Sequence, residues 1–118
     1  MLPEERDAAH LWDMRQAARD ALALARDVTL EELRHSRFHQ YALAKAIELV
    51  GESAGRVSVP FRDSHPQIPW KEIVGMRNRL VHDYHRIDFN VVWDVVSHDL
   101  PGLVEALDAL VPPSDDPV

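Results

Sequence analysis

Apolar residues recur every three or four positions along most of the chain, which predicts amphipathic α-helices. The first predicted helix covers about 4–27. Its apolar stripe consists of Leu11, Met14, Ala18, Ala21, Ala25 and Val28. Four aspartates of this helix are predicted to form its solvated face: Asp7, Asp13, Asp20 and Asp27. Thr29 and Glu32 have the spacing of a capping box, so a second helix is predicted over about 30–55.

Turn-forming residues separate the second helix from the rest of the chain. Residues 56–69 contain prolines but no sustained period, which indicates a loop, and Pro69 suits the first position of a third helix. Asp88 is the predicted N-cap of a fourth helix, in which Pro101 predicts a kink or break. Since no segment alternates like a strand, we predict an all-α fold, an antiparallel four-helix bundle over 1–111 with a flexible tail at 112–118.

Composition narrows the possible functions. A chain of 118 residues has room for one domain, and its acidic N-terminal segment does not resemble a signal peptide, so we expect a cytoplasmic protein without a membrane anchor. The absence of cysteine excludes thiolate metal sites and cysteine nucleophiles. A net charge of -7 disfavours diffuse adhesion to nucleic acid, so an RNA-binding protein of this composition needs a local basic island.

One segment, 76–86, forms such an island, with three arginines and two histidines against a single aspartate. Arg77 and His82 are five positions apart, which places them about 140° apart around a helix axis. For both to contact one phosphate, either the helix must end before His82 or two copies of the protein must bring their segments together. Asn78 and His82 are four apart and can share a face, so the Asn78 amide can orient the imidazole.

These side chains suit RNA cleavage without a metal ion, in which the 2′-hydroxyl of the RNA attacks the adjacent phosphorus. Histidine can transfer the protons at neutral pH, and arginine can stabilise charge on the phosphoryl oxygens. Tyr84 can position the phosphate or stack on a base. The alternative is an exposed, solvated helix end without a catalytic role.

Longer motifs resemble the HepT-like family of the HEPN superfamily. They are IPWKEIVGMRNRLVHDY at 68–84, AKAIELVGESA at 44–54, DLPGL at 99–103, and the pairs ID and VW at 87–88 and 92–93. The likeness extends from the first helix to about Leu110. The resemblance implies a small all-α toxin that forms a homodimer and pairs its two Arg-four-residues-His-any-Tyr motifs at the dimer cleft.

The resemblance also implies an activity and its control. It indicates a metal-independent endoribonuclease without a cofactor, with Arg77, Asn78 and His82 as catalytic residues. It implies a type VII-like toxin–antitoxin pair, in which an MntA-type nucleotidyltransferase antitoxin silences the toxin by transferring AMP from ATP to Tyr84. Added AMP would place bulk and negative charge at the phosphate site. Asp83 places a carboxylate beside that site.

Several questions stay open at the level of sequence. Glu52 either holds Arg77 or His82 or forms a structural salt bridge. Three further residues are candidates for RNA or partner contacts, with solvated surface as the alternative: Arg79, His85 and Arg86. His35 and His39 lack a third ligand, so no metal site is predicted. A different functional hypothesis is a non-catalytic helical acceptor module of a nucleotidyltransferase.

The length of the apolar stripes also bears on assembly. Because the chain is short and the stripe of the fourth helix is long, we expect apolar residues of the first and fourth helices to form the dimer interface.

Overall fold

The computed structural model describes residues 4–111, and within them the protein is helical without strands, as predicted. The helices in chain order are α1 (Glu5–Ala25), α2 (Leu30–His35), α3 (Arg37–Arg56), α4 (Val59–Ser64), α5 (Trp70–His82), α6 (Phe89–Asp94) and α7 (Leu100–Leu110). A 3₁₀ turn, Tyr84–Arg86, follows α5, and a π-helical turn, Val95–Asp99, joins α6 to α7.

The helices pack around one core, in which α1 lies against α3 and α7, and α3 also lies against α5. Fully buried side chains of this core include Leu11, Met14, Leu33, Val50, Val92 and Leu107. The helices α3 and α5 run in opposite directions, because Gly55 lies near Val74 at one end and Tyr41 lies near Tyr84 at the other. The complete four-helix bundle stays a prediction.

The predicted second helix is divided at Ser36, so its expected continuity was wrong. Ser36 is extended, with φ -121° and ψ 106°, and its Oγ accepts a hydrogen bond from the His39 N–H. The Gln40 side-chain amide donates hydrogen bonds to the carbonyls of Leu33 and Arg34, which lack helical partners because α2 ends there. Side chains thus replace the backbone hydrogen bonds that a continuous helix would make. The capping box that opens α2 is present as predicted.

The predicted loop at 56–69 contains the short helix α4, which corrects that prediction. Ser58 caps it by accepting from the Phe61 N–H, and Pro60 occupies the first turn. The Asp7 carboxylate accepts hydrogen bonds from the Ser58 N–H at 2.8 Å and from the Ser58 Oγ at 2.6 Å. Asp7 is therefore buried, 4% exposed, and not part of a solvated face. It ties the start of α1 to the cap of α4.

The last helical stretch continues past Pro101. Asp88 caps it as predicted, with its Oδ1 accepting from the Asn90 N–H. Pro101 lies in the first turn of α7, directly after a π-helical turn in which the Leu100 N–H donates to the carbonyl of Val95. The chain is not broken there, and a kink stays a prediction.

Two expectations concern the ends of elements and of the chain. Pro69 precedes α5 as its N-cap, and Trp70 is the first helical residue, one position later than expected. The predicted tail at 112–118 lies outside the described residues. Within 4–111, each helix is too short or too polar to cross a lipid bilayer.

Candidate active site

Helix α5 carries the basic motif and stays helical through His82. The Asp83 N–H still donates to the carbonyl of Arg79, at 2.8 Å. One of the two alternatives for the motif, a helix that ends before His82, is therefore wrong. Within one copy, Arg77 and His82 lie about 140° apart around the axis of α5 and point to different sides.

Arg77 lies where α3 and α5 approach each other most closely at a glycine. A Cβ atom on Gly51 would stand 2.2 Å from the Arg77 Cβ and 2.9 Å from the carbonyl oxygen of Ile73. Only glycine fits this contact. The Arg77 side chain is half-buried, and its Nη1 donates to the Asn78 Oδ1 at 3.1 Å. Its Nε is buried without a hydrogen-bond partner in the described part of the chain.

Asn78 and His82 share the outer face of α5, and both are exposed. The Asn78 amide oxygen accepts a hydrogen bond from Arg77. Within 4–111 the structure has no hydrogen bond between Asn78 and the His82 imidazole. Gly75 is exposed on the same face, and a Cβ added there would meet nothing within 4 Å. This face of α5 is therefore open to a second molecule.

Tyr84 opens the 3₁₀ turn and packs back against α3. Its ring lies 5.6 Å from that of Tyr41 and 6.2 Å from that of Phe89, measured between centroids. The Tyr84 hydroxyl is buried and has no hydrogen-bond partner among the described residues. Burial raises the pKa of the Tyr84 phenol above its ordinary value, and the neighbouring Tyr41 adds to this rise. The phenol is therefore neutral at physiological pH.

The remaining motif residues have other neighbours. Glu52 accepts from Arg56 at 3.0 Å, so the structural salt bridge is the alternative that the structure shows. Arg79 contacts the sulfur of Met76 at 3.7 Å. Both Arg79 and Arg86 line a groove of about 270 Å³ together with Asp83 and Asp88. His85 is exposed, and its ring meets the Tyr84 ring edge at 5.8 Å.

The two histidines near position 36 are on different helices, because the chain breaks at Ser36. The His35 Nε2 is hydrogen-bonded to the Glu31 Oε1 at 2.9 Å, and the His39 Nδ1 is hydrogen-bonded to the Ser36 Oγ at 2.7 Å. Residues 4–111 contain no group of three or more His, Cys, Asp or Glu side chains arranged to hold a metal ion.

Some of the apolar residues expected to form a dimer interface are buried within the chain itself, and the interface stays a prediction. Leu11 of α1 and Leu107 of α7 are both fully buried in the core. Large apolar side chains that are exposed within 4–111 include one on α1, three on α3 and one at the end of α5: Leu24, Phe38, Tyr41, Leu49 and Val81. A groove of about 770 Å³ lies between α3, α5 and α7, and its lining does not include Arg77, His82 or Tyr84.

Two residues of this region had no role assigned from the sequence. Gly51 was only part of a motif, although a glycine within a helix costs about 1 kcal/mol and so signals a close contact. Tyr41 lies outside every predicted apolar stripe. Its position beside Tyr84 follows from the packing of α3 on α5, which periodicity does not give.

The described residues define an all-helical protein that carries arginine, asparagine and histidine side chains in the last turns of one helix and a tyrosine in the turn that follows. The sequence profile of the family described as "Ribonuclease HepT-like" matches residues 14–110. The chain belongs to this family.

Curated relatives cover most of the chain. A "Putative RNase" of Methanocaldococcus jannaschii is 35% identical over 95 residues, which are 80% of this chain and 87% of the relative. A "Probable ribonuclease HepT" of Thermococcus cleftensis is 32% identical over 94 residues, 80% of this chain and 86% of the relative. No solved structure matches the chain significantly.

Proposed function

We propose that this protein is an endoribonuclease that acts as a homodimer and cleaves RNA without a metal ion. The observation that carries the proposal is the continuity of α5 through His82, which separates Arg77 and His82 around the axis. Since one copy directs these groups to different sides, a common phosphate is reached when a second copy meets the open face of α5. The names of two relatives, "Putative RNase" and "Probable ribonuclease HepT", support the choice of RNA as substrate.

The proposed reaction uses the RNA's own 2′-hydroxyl as nucleophile. Its oxygen forms a bond to phosphorus while the bond to the 5′-oxygen breaks, which leaves a 2′,3′-cyclic phosphate and a 5′-hydroxyl. His82 takes the proton from the nucleophile or gives one to the leaving oxygen, because its pKa range suits both roles. Arg77 stabilises the charge that develops on the phosphoryl oxygens, and Asn78 fixes the Arg77 guanidinium.

Local charge supports RNA binding at this end of the molecule. The chain carries 20 acidic and 13 basic residues, so its net charge of -7 repels a polyanion at long range. Three arginines nevertheless gather around the end of α5: Arg77, Arg79 and Arg86. We therefore expect RNA affinity to depend on this island and to fall with added salt.

We also propose that Tyr84 is the site at which a nucleotidyltransferase antitoxin of the MntA type silences the protein as a toxin, by transferring AMP from ATP. Its support is the place of Tyr84 in the motif, two residues after His82. The hydroxyl is buried, so the 3₁₀ turn must open before the phenol can attack the α-phosphate. The attached phosphate would add negative charge beside the cationic groups and repel RNA.

The test is RNA cleavage in EDTA by the wild-type protein and by His82→Ala, with His98→Ala as a matched control. His98 is an exposed histidine outside the motif, with its ring 3.9 Å from Asp94. We expect His82→Ala to lose at least about 100-fold in rate while its sedimentation stays unchanged, and His98→Ala to cleave like the wild type. Equal cleavage by His82→Ala would refute the enzymatic proposal.

A second candidate function is a non-catalytic acceptor module of a nucleotidyltransferase, which the acidic net charge favours. It predicts that the protein gains mass when it is mixed with that enzyme and ATP, yet never cleaves RNA. Intact-mass measurement on the same preparation used for the cleavage assay separates the two candidates.

A further inference from the structure

A cleft separates α3 from the end of α5 on the side of Tyr84. Its volume is about 520 Å³, within the range of small-molecule sites. It is lined by Tyr41, Ala44, Lys45, Glu48, Leu80, Val81 and Tyr84. None of the functions proposed above uses the four α3 residues of this cleft.

The cleft combines an aromatic face with one cation and one carboxylate. Tyr41 is 56% exposed, although its ring lies 5.6 Å from that of Tyr84 at an interplanar angle of 32°. The Lys45 Nζ lies 3.5 Å from the Glu48 Oε1 on the same helix, and the Lys45 side chain is mostly exposed. A planar ligand with hydrogen-bonding edges and a nearby phosphate suits all three groups, and a nucleotide is such a ligand.

The cleft also lies next to Arg77. Val81 follows Arg77 by four residues on α5, so the two share one side of that helix. On α3, Glu48 precedes Gly51 by one turn, and Gly51 is the residue against which Arg77 packs. The backbone of Arg77 is therefore about one helical turn, roughly 5.4 Å, from that of Val81 at the start of the cleft.

We propose that Tyr41, Lys45 and Glu48 form a subsite that holds one nucleobase of the RNA beside the phosphate bound by Arg77. Tyr41 stacks on the base, Glu48 accepts a hydrogen bond from its edge, and Lys45 neutralises an adjoining phosphate. The inference rests on the proposed ribonuclease function. A second copy of the chain suits the cleft less well, because lysine and glutamate are depleted at the centres of protein interfaces.

The test measures binding of an RNA whose 2′-hydroxyls are methylated, so that it cannot be cleaved, by fluorescence anisotropy. We compare the wild type with Tyr41→Ala, Tyr41→Phe and the control Phe38→Ala. Phe38 is 76% exposed on the same helix, and its ring pairs with His39 rather than with Tyr84. We expect about 5- to 150-fold weaker binding for Tyr41→Ala, near wild-type binding for Tyr41→Phe, and no change for Phe38→Ala.

Cleavage of unmodified RNA supplies a second readout, in which Tyr41→Ala should raise KM more than it lowers kcat. Wild-type affinity in Tyr41→Ala would overturn the subsite, and so would failure of the wild-type protein to bind the methylated RNA. A monomeric Tyr41→Ala in sedimentation would place Tyr41 in an interface and also overturn it. Cleavage that does not depend on Tyr41 would support the ribonuclease and refute the subsite. Tyr41-dependent binding without any cleavage would refute the ribonuclease and show only that Tyr41 contributes to RNA binding.

Discussion

Replacing Gly51 by alanine places one methyl group into a close contact between α3 and α5. The new Cβ would stand 2.2 Å from the Arg77 Cβ, whereas carbon atoms in contact prefer about 3.5–4.0 Å. It would also stand 2.9 Å from the backbone oxygen of Ile73. Both atoms are fixed to or part of the backbone of α5, so no side-chain rotation relieves the overlap. The two helices must move apart, and Arg77 must move with them.

The magnitude follows from two opposing effects. Overpacking of a well-packed core typically costs about 1–3 kcal/mol, and an overlap with backbone atoms belongs at the upper end. Alanine in a helix interior is more favourable than glycine by about 1 kcal/mol. We therefore expect Gly51→Ala to lower the free energy of unfolding by about 2 kcal/mol. For a denaturant slope near 2 kcal/mol/M, this lowers the urea concentration at the midpoint of unfolding by about 1 M.

The matched control is Gly102→Ala, at an exposed position of α7 away from the open face of α5. A Cβ at Gly102 meets nothing within 4 Å, so only the helix-propensity gain of up to about 1 kcal/mol applies, and the urea midpoint should rise. Both variants are unfolded in urea at one protein concentration, because a dimer's stability depends on concentration. A Gly51→Ala variant as stable as the wild type would refute the close-contact reasoning.

Two further predictions concern buried polar groups. Asp7→Ala leaves the Ser58 N–H and hydroxyl without their acceptor and should lower the free energy of unfolding, measured in urea, by about 2–3 kcal/mol. The control Asp13→Ala, at an exposed site of α1, should be about as stable as the wild type. Equal stability of the two variants would contradict the tie between α1 and α4. Because the folded pKa of Tyr84 is raised, its contribution to stability is present below pH about 10 and is lost as pH rises through the folded pKa. Tyr84→Phe should reduce this alkaline loss and remove one of two phenol transitions from an absorbance titration, and an unchanged alkaline loss would argue against a buried hydroxyl.

Local signals in the sequence predicted those elements that local chemistry determines. Thr29 with Glu32 and Asp88 make side-chain to backbone hydrogen bonds within three residues, so their caps can be recognised without knowledge of the fold. The angle between Arg77 and His82 also follows from local sequence, because the two residues are five positions apart on one helix. The motif itself was identified by the resemblance of longer segments to the HepT-like family.

Features that depend on contacts distant in sequence could not be predicted in this way. The solvated face expected for α1 was wrong at Asp7, because its partner Ser58 is 51 positions away. Helix α4 was missed although Ser58 and Pro60 are suitable start signals, since six residues seldom hold a helix without a tertiary tie. Tyr41 illustrates the same limit at the candidate site.

The central claim is that one cleavage site needs Arg77 from one copy and His82 from another. The most direct measurement mixes the separately inactive variants Arg77→Ala and His82→Ala, allows their subunits to exchange, and follows RNA cleavage in EDTA. Half of the dimers in an equal mixture are mixed, and each contains one intact site of two, so about a quarter of wild-type activity should return. A mixture that stays inactive, although mixed dimers are detected by native mass spectrometry, would contradict the account.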